Sequence, residues 1–449
     1  MISRQFGPAG VGAYSYGYAV TSFVFVIGCL GIEEYGLREY ARMEAGSRAQ
    51  FIAELLGTQA MMLLAALAGL GIYLLLTHPT AATLVIVGSL TYYQVAMALA
   101  ATLFIPAMGQ QRMMGPALAD LICRACGFIL VGLTIHYLHR SISASMFGFT
   151  VSGTLLIVLA AQSAKRHGAT LRISVSRHAM LKLGSVLWSF AAIEIFAQLF
   201  TRIGIIALSL RISEAAAGLY ATGLRLTEVA LMPLSFMGVA AYPRLSQLFR
   251  NDLTAFRRVS QSLLWLTLLA LGAVSWGLYF VAPLLLVPVL GDRYAGAEPV
   301  VRTIAVLATV QACEIVMGRL LLAADLQVVR AASIVVGAVA ALLLNLWLIP
   351  KFGVNGAIYA GALSYLVIDG LYVAALRRVL TDKSLSYWVT SFVMSVAVAI
   401  TAAWLCTSYG SIAWAPGLMS ALAFAAVAGG CFWFGPRNWF TPTAGSAIG

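Results

Sequence analysis

Residues 12–32 read GAYSYGYAVTSFVFVIGCLGI and contain no Asp, Glu, Lys or Arg. About 20 consecutive apolar residues cross the hydrocarbon core of a bilayer as one helix, so this stretch is expected to span a membrane. The same pattern recurs along the 449-residue chain. Apolar runs bounded by charge, Gly or Pro predict further spans at 52–76, 83–107, 116–138, 144–163, 183–209, 216–240, 261–286, 300–323, 331–349, 355–376, 387–409 and 414–434, thirteen in all. Composition agrees: 61% of residues are hydrophobic, 10% are charged and the mean hydropathy is +0.92, whereas soluble domains carry about 25% charge. The expected fold is an all-α polytopic membrane protein with no room for a separate water-soluble catalytic domain. Pro79, Pro106, Pro233 and Pro283 are expected to end or kink helices.

The net charge of +12 would suggest nucleic acid in a soluble protein. Here the charges sort by side. Between alternate spans fall eighteen Lys and Arg, from Arg38, Arg42 and Arg48 to Arg377, Arg378, Lys383 and Arg437. The opposite side holds six: Arg4, Arg140, Arg211, Arg293, Arg302 and Lys351. Positively charged loops face the cytoplasm, which predicts a cytoplasmic C-terminus and no nucleic-acid partner. Thirteen spans then put the N-terminus outside, although no signal peptide is legible there. The six cysteines lie almost entirely inside apolar runs and read as small hydrophobes. Cys123 and Cys126 form a C-x-x-C that no further Cys or His cluster completes as a zinc site, so neither metal nor cofactor is expected.

An internal repeat organises the spans. Gly12-Ala13-Tyr14-Ser15-Tyr16-Gly17 and Gly218-Leu219-Tyr220-Ala221-Thr222-Gly223 share the pattern G-x-Y-x-x-G at an offset of 206. The same offset carries Arg38 onto Arg244, each just after an aromatic, Tyr35 and Tyr242. Repeated bundles are how many secondary transporters build two lobes around a midplane site. The expectation is a pair of pseudo-symmetric helix-bundle lobes, 1–170 and 183–380, with two additional helices in 387–434. A helix at 183–209 precedes the second copy, whereas eleven residues precede Gly12. The first lobe is therefore expected to lack its opening helix.

Several stretches, taken in order, resemble one family. They are Phe6-Gly7-Pro8-Ala9-Gly10-Val11-Gly12-Ala13-Tyr14-Ser15, Gly36-Leu37-Arg38-Glu39-Tyr40-Ala41-Arg42, Gly218-Leu219-Tyr220 with Arg225, Tyr242-Pro243-Arg244-Leu245-Ser246 and Ile349-Pro350-Lys351-Phe352-Gly353-Val354-Asn355-Gly356-Ala357. Together they resemble the O-antigen (Wzx-like) polysaccharide flippases of the multidrug/oligosaccharidyl-lipid/polysaccharide exporter superfamily. The resemblance implies fourteen helices, one more than is read here. It also implies a transporter for surface polysaccharide synthesis, such as O-antigen, lipopolysaccharide or exopolysaccharide. Its substrate would be a lipid-linked oligosaccharide of the undecaprenyl-diphosphate type, delivered to polysaccharide polymerase machinery. Where the family often carries an acidic residue, this chain has Arg202.

Charged residues inside the spans mark candidate sites, since an Arg near the bilayer centre costs about 2.5–3.5 kcal/mol on insertion scales. Arg124, Arg202, Arg225 and Arg319 must pair, snorkel or face water. Asp120 and Arg124 stand i,i+4, Arg225 and Glu228 i,i+3, and Glu194, Gln198 and Arg202 share one helix face at spacing four. For Arg124 and Arg319 the pairing reading leads. For Arg202 and Arg225, on the helices flanking the repeat boundary, the reading leans to a substrate cavity. A guanidinium presents planar paired donors that match a diphosphate and stays charged. Arg38 is either a first contact at the cytoplasmic mouth or a positive-inside anchor. Asp369, Glu194 and Glu314 are candidates for binding a coupling proton or Na⁺, and Asp369 has no basic residue one turn away. His136 and His139 read as an interfacial pair rather than a metal site. Residues 34–48 read as an interfacial amphipathic helix or a plain loop.

Two alternatives to a flippase stand. A drug/cation antiporter of the same superfamily needs an acidic cavity, which Arg202 and Arg225 argue against. A membrane glycosyltransferase or polymerase needs sizeable outward loops bearing acids or His. The longest outward connection, 287–299, offers only Asp292, Arg293 and Glu298. No P-loop pattern is present for ATP coupling within this chain.

Overall fold

The computed structural model describes residues 2–138, 142–169, 172–174, 177–380, 388–390 and 393, with the side chains of 177–192 and a few scattered positions excepted. The predicted span 414–434, all of the span 387–409 but its residues 388–390 and 393, and Arg437, His139, Cys406 and Cys431 lie outside the described residues. Helices account for nearly all of the described chain, and no strand occurs among the described residues. In order they are α1 (Ile2–Cys29), α2 (Ile32–Arg42), α3 (Ala45–Thr77), α4 (Ala81–Gly109), α5 (Met114–Leu138), α6 (Ile142–Ser145), α7 (Phe147–Arg166), α8 (Arg177–Arg211), α9 (Glu214–Asn251) and α10 (Leu253–Trp276). A π-helical and short α-helical stretch over Gly277–Leu290, containing α11 (Ala282–Leu285), leads through a 3₁₀ turn to α12 (Glu298–Ala323) and α13 (Gln327–Leu376).

Eight helices among the described residues are long and apolar enough to cross a membrane. That number counts α13 once, although its 50 residues would extend about 75 Å at 1.5 Å per residue, more than twice the hydrocarbon thickness of about 30 Å. The chain resolves this at Gly353, whose φ of 57° and ψ of −129° break the helix three residues after Pro350. Only glycine adopts that backbone without strain, and the break falls between the predicted spans 331–349 and 355–376.

Several ends differ from the sequence reading. The first helix starts at Ile2 rather than near residue 12, bending at Gly7-Pro8. Residues 32–42 are helical, and α3 already begins at Ala45, so the segment 34–48 is an amphipathic helix followed by the start of a span rather than a loop. The α2 face bearing Ile32 and Tyr40 is buried against Ile52, Leu55, Leu103, Phe104 and Ile105. Pro106 and Pro233 sit inside α4 and α9. Pro79 falls in the connection before α4, where Thr80 caps the helix by accepting from the Thr83 amide at 3.3 Å.

The chain divides into two compact units, the first Met1–Gly218, the second beginning at Leu219. In the first, α4 packs against α1 and α7, α5 against α7, and α1 against α3 and α8. Fully buried Gln59 ties three of these helices together by donating to the carbonyls of Gly28 at 3.1 Å and Ala98 at 2.8 Å. Gly28 lies in the last turn of α1, where carbonyls lack intrahelical donors, so an amide inside the apolar bundle is matched to a group that needs it.

Within the first unit the opening glycines of the two G-x-Y-x-x-G copies, Gly12 and Gly218, stand where backbones approach closely. A Cβ on Gly12 would overlap the carbonyl of Glu214, and a Cβ on Gly218 would overlap that of Pro8. Pro8 and Glu214 are themselves separated by 206 residues, so the contact is reciprocal under the offset read from sequence, as in an isologous interface. Beyond this crossing the copies diverge. The first breaks at Leu30 and Gly31, with φ of 30° and 77°, before α2. In the second, Phe236 and Met237 stand at the corresponding positions and α9 runs on unbroken to Asn251. Arg38 thus sits on a separate helix while Arg244 continues a span.

Candidate functional site

Two of the four arginines singled out from sequence, Arg124 and Arg202, lie in the first unit. On α5, Arg124 Nε binds Asp120 Oδ2 at 2.8 Å, the i,i+4 pairing expected, with the arginine side chain 48% exposed. The guanidinium also lies within electrostatic range of Tyr93 and Tyr18. On α8, the Arg202 guanidinium carbon stands 5.2 Å from the centre of the Tyr18 ring, a cation–π arrangement. Its Nε is buried and has no hydrogen-bond partner among the described residues. One turn away along both helices, Gln198 donates to Ser22 Oγ, so α1 and α8 meet through two polar rungs spaced i,i+4 on each. Glu194 continues the α8 stripe and is exposed.

Aromatic rings surround this pair of cations. Tyr14 stacks on Tyr18 with centroids 6.2 Å apart and planes 27° apart. Phe149 of α7 stacks on the other side of Tyr14 at 5.8 Å and 25°. Buried Tyr93 of α4 meets Phe149 edge-on at 5.5 Å. The sequence reading used Tyr14 only as a motif residue. The i,i+4 spacing of Tyr14 and Tyr18 was the available signal, but only packing brings Phe149 alongside them.

Arg38 is elsewhere. Tyr18 lies roughly 16 Å before the end of α1 at 1.5 Å per residue, and Arg38 is beyond that end on α2, its side chain 58% exposed. It contacts Glu39 at 3.3 Å and stands over Tyr35 at 5.9 Å. Arg225 is exposed on α9 and belongs to the second unit, as does Glu228.

The candidate acids separate the same way. Glu194 stays with the first unit, while Glu314 and Asp369 belong to the second. Glu314 Oε1 lies 3.9 Å from Arg330 Nη2. Arg330 opens the first turn of α13, so what the sequence placed in a cytoplasmic loop is a partner for a span acid. Asp369 is 7% exposed, and its Oδ1 has no hydrogen-bond partner among the described residues. Tyr372, one turn on, is fully buried and also lies within range of Glu314. Among the described residues no group of three or more His, Cys, Asp or Glu is placed to hold a metal ion.

The described chain is a bundle of long apolar helices whose charged groups gather on a few helix faces. Solved structures share it: the lipid II flippase MurJ in an inward closed conformation aligns with a TM-score of 0.71 at 12% identity, over 95% of this chain and 94% of its own. An inward-facing multidrug MATE transporter aligns at 0.59 and 11% identity, over 85% and 93%. The MATE transporter DinF-BH aligns at 0.52 and 17% identity, over 86% and 90%. No curated protein matches the chain in sequence. A family model described as "polysaccharide biosynthesis protein" matches residues 1–249, and the chain belongs to that family.

Proposed function

We propose that this protein is a flippase that moves a lipid-linked oligosaccharide from the cytoplasmic to the outer leaflet of a bacterial inner membrane, for O-antigen, lipopolysaccharide or exopolysaccharide synthesis. The observation that supports this most is the Arg202 guanidinium set on the Tyr18 ring with its Nε buried, in the unit that also holds Arg124. A diphosphate needs fixed cations with multiple donors when it leaves water. Arg202 offers a buried Nε without a partner among the described residues, and Arg124 retains donors beyond the one bound to Asp120. An undecaprenyl-diphosphate oligosaccharide carries such a group. Arg225 is proposed as a further substrate contact, and Arg38 as an entry contact on the cytoplasmic side.

In this reading the repeat lobes are 1–170 and 183–380, with 387–434 an accessory pair, a cytoplasmic C-terminus and polymerase machinery downstream. The helix at 183–209 opens the second repeat while packing, as α8, in the first unit. Transport proceeds by alternating access of the lobes. Asp369 and Glu314 are the coupling acids for a proton or Na⁺, and Glu194 a third candidate. That buried acid pair is also what favours the second reading, a drug/cation antiporter.

Purified full-length protein in vesicles separates the two. Flipping of a fluorescent polyprenyl-diphosphate disaccharide, lost in Arg124→Ala/Arg202→Ala, is the expected result. Uptake of an organic cation with no flipping of the disaccharide lipid would replace the flippase reading by the antiporter.

A further inference from the structure

The first unit holds an open trough whose walls are the faces of α1 from Val20 to Ile27, of α3 from Ala65 to Tyr73 and of α8 from Leu199 to Ile206. Its volume is about 470 Å³, some three times the ~150 Å³ of an apolar cavity that takes up benzene. All three walls belong to helices long and apolar enough to span a membrane, so hydrocarbon rather than water lies at the mouth. Among the described lining residues Tyr73 alone carries a polar side chain. Its hydroxyl stands 3.0 Å from that of Tyr16. One of the two protons is used between them, which leaves the other to donate to a further oxygen. On the α3 wall Gly69 is exposed, and a Cβ there would meet nothing within 4 Å.

Trough and cation share a helix. Leu199 and Ile203 of the trough bracket Arg202 within about one turn of α8. On α1, Tyr18 and Ser22 project about 160–200° around the helix from Val20. The Arg202–Tyr18 contact and the trough therefore lie on the two sides of the line along which α1 and α8 pack.

We infer that this trough seats the polyprenyl chain of the lipid-linked oligosaccharide while the diphosphate is held at Arg202 on the other side of that line. The inference rests on the flippase reading and gives it a place for the tail. A flipped lipid divides its parts: the charged head needs polar partners once it leaves water, whereas the chain loses nothing by staying in hydrocarbon. A trough open to the bilayer suits the second need, and a cation on the opposite flank of the same helix pair suits the first. A chain with methyl branches needs gaps between side chains, which Ala65, Ala66 and Gly69 leave on the α3 wall. Tyr16 lies only about 3 Å along α1 from Tyr18, so the spare hydroxyl proton is at the depth of the cation, where the chain meets its first phosphate oxygen.

The test photolabels full-length protein in nanodiscs with two probes, a polyprenyl-diphosphate disaccharide and a phosphatidylcholine, each carrying a diazirine in its chain. The polyprenyl probe is expected to label peptides covering 20–27, 65–73 and 199–206 about ten-fold more than the phospholipid probe. Gly69→Leu fills the trough and should cut that labelling about ten-fold. Gly71 lies about 200° around α3 from Gly69, outside the trough, and a Cβ there also meets nothing within 4 Å. Gly71→Leu raises helix propensity by the same amount and should leave labelling at the wild-type level. Equal labelling by the phospholipid, labelling that survives Gly69→Leu, or an equal fall in both variants would overturn the trough. Flipping of the disaccharide lipid by the wild type, measured in parallel in vesicles, decides the flippase reading separately. Flipping without label in the trough overturns the trough alone, and label in the trough without flipping overturns the flippase reading alone.

Discussion

In the first unit Arg124 and Arg202 are cations held on carboxylate and aromatic partners, whereas in the second Asp369 and Glu314 are acids drawn toward the interior. Arg124 is 48% exposed beside Asp120, and Arg202 lies on Tyr18. Asp369 is 7% exposed with an oxygen unmatched among the described residues, and Glu314 is 18% exposed against Arg330. A half-exposed guanidinium can exchange partners when an anion arrives. A buried carboxylate is expensive to keep charged without a cation, so its state follows whatever ion or proton reaches it. The difference suits anion capture in one unit and ion coupling in the other.

The largest expected effect breaks the first half of this comparison. Replacing Arg124 and Arg202 together by Ala should lower polysaccharide export by at least about 100-fold at constant protein abundance, since each charge-assisted contact is worth about 1.5–3 kcal/mol. Arg202→Lys should keep the charge, lose the planar fork and fall by only about ten-fold. Normal export in the double variant at normal abundance would remove these arginines from the substrate site.

Next in size is Asp369→Asn. If the second unit couples transport to an ion, the variant should flip substrate down its gradient in vesicles while losing any response to an imposed pH or Na⁺ gradient, with a rate drop of about ten-fold in cells, near 1.4 kcal/mol. A gradient response identical to wild type would move coupling elsewhere.

A smaller effect distinguishes pairing from function at Glu314. Arg330→Ala leaves that carboxylate without its cation, and removing one partner of a largely buried pair destabilises. The amount of protein in the membrane should drop several-fold and recover when Glu314→Gln is added. Recovery of abundance without recovery of transport would sharpen the comparison by making Glu314 functional as well as structural.

Smallest of all should be Arg38→Ala. An exposed arginine with surface partners contributes little, so export should change less than about two-fold. A loss as large as that of Arg202→Ala would extend the anion path to α2.

The sequence by itself determined that the chain is a helical membrane protein, because twenty-residue apolar runs have no other way to satisfy their backbone polar groups in lipid. It also determined the i,i+4 pair of Asp120 and Arg124, and its 206-residue offset relates Gly12 and Gly218, two glycines where backbones approach closely. These follow from periodicity along one helix. What lies between helices was decided by tertiary structure alone. That Arg202 meets Tyr18, that Phe149 extends the Tyr14 stack, and that Arg330 answers Glu314 depend on which faces pack. In an apolar helix such as α4 or α8 the polar and apolar residues are so weakly segregated that sequence period cannot say which face that is. The Leu30–Gly31 break, which sends Arg38 away from its repeat counterpart, turns on a single left-handed glycine that the symmetric reading of the two copies passed over.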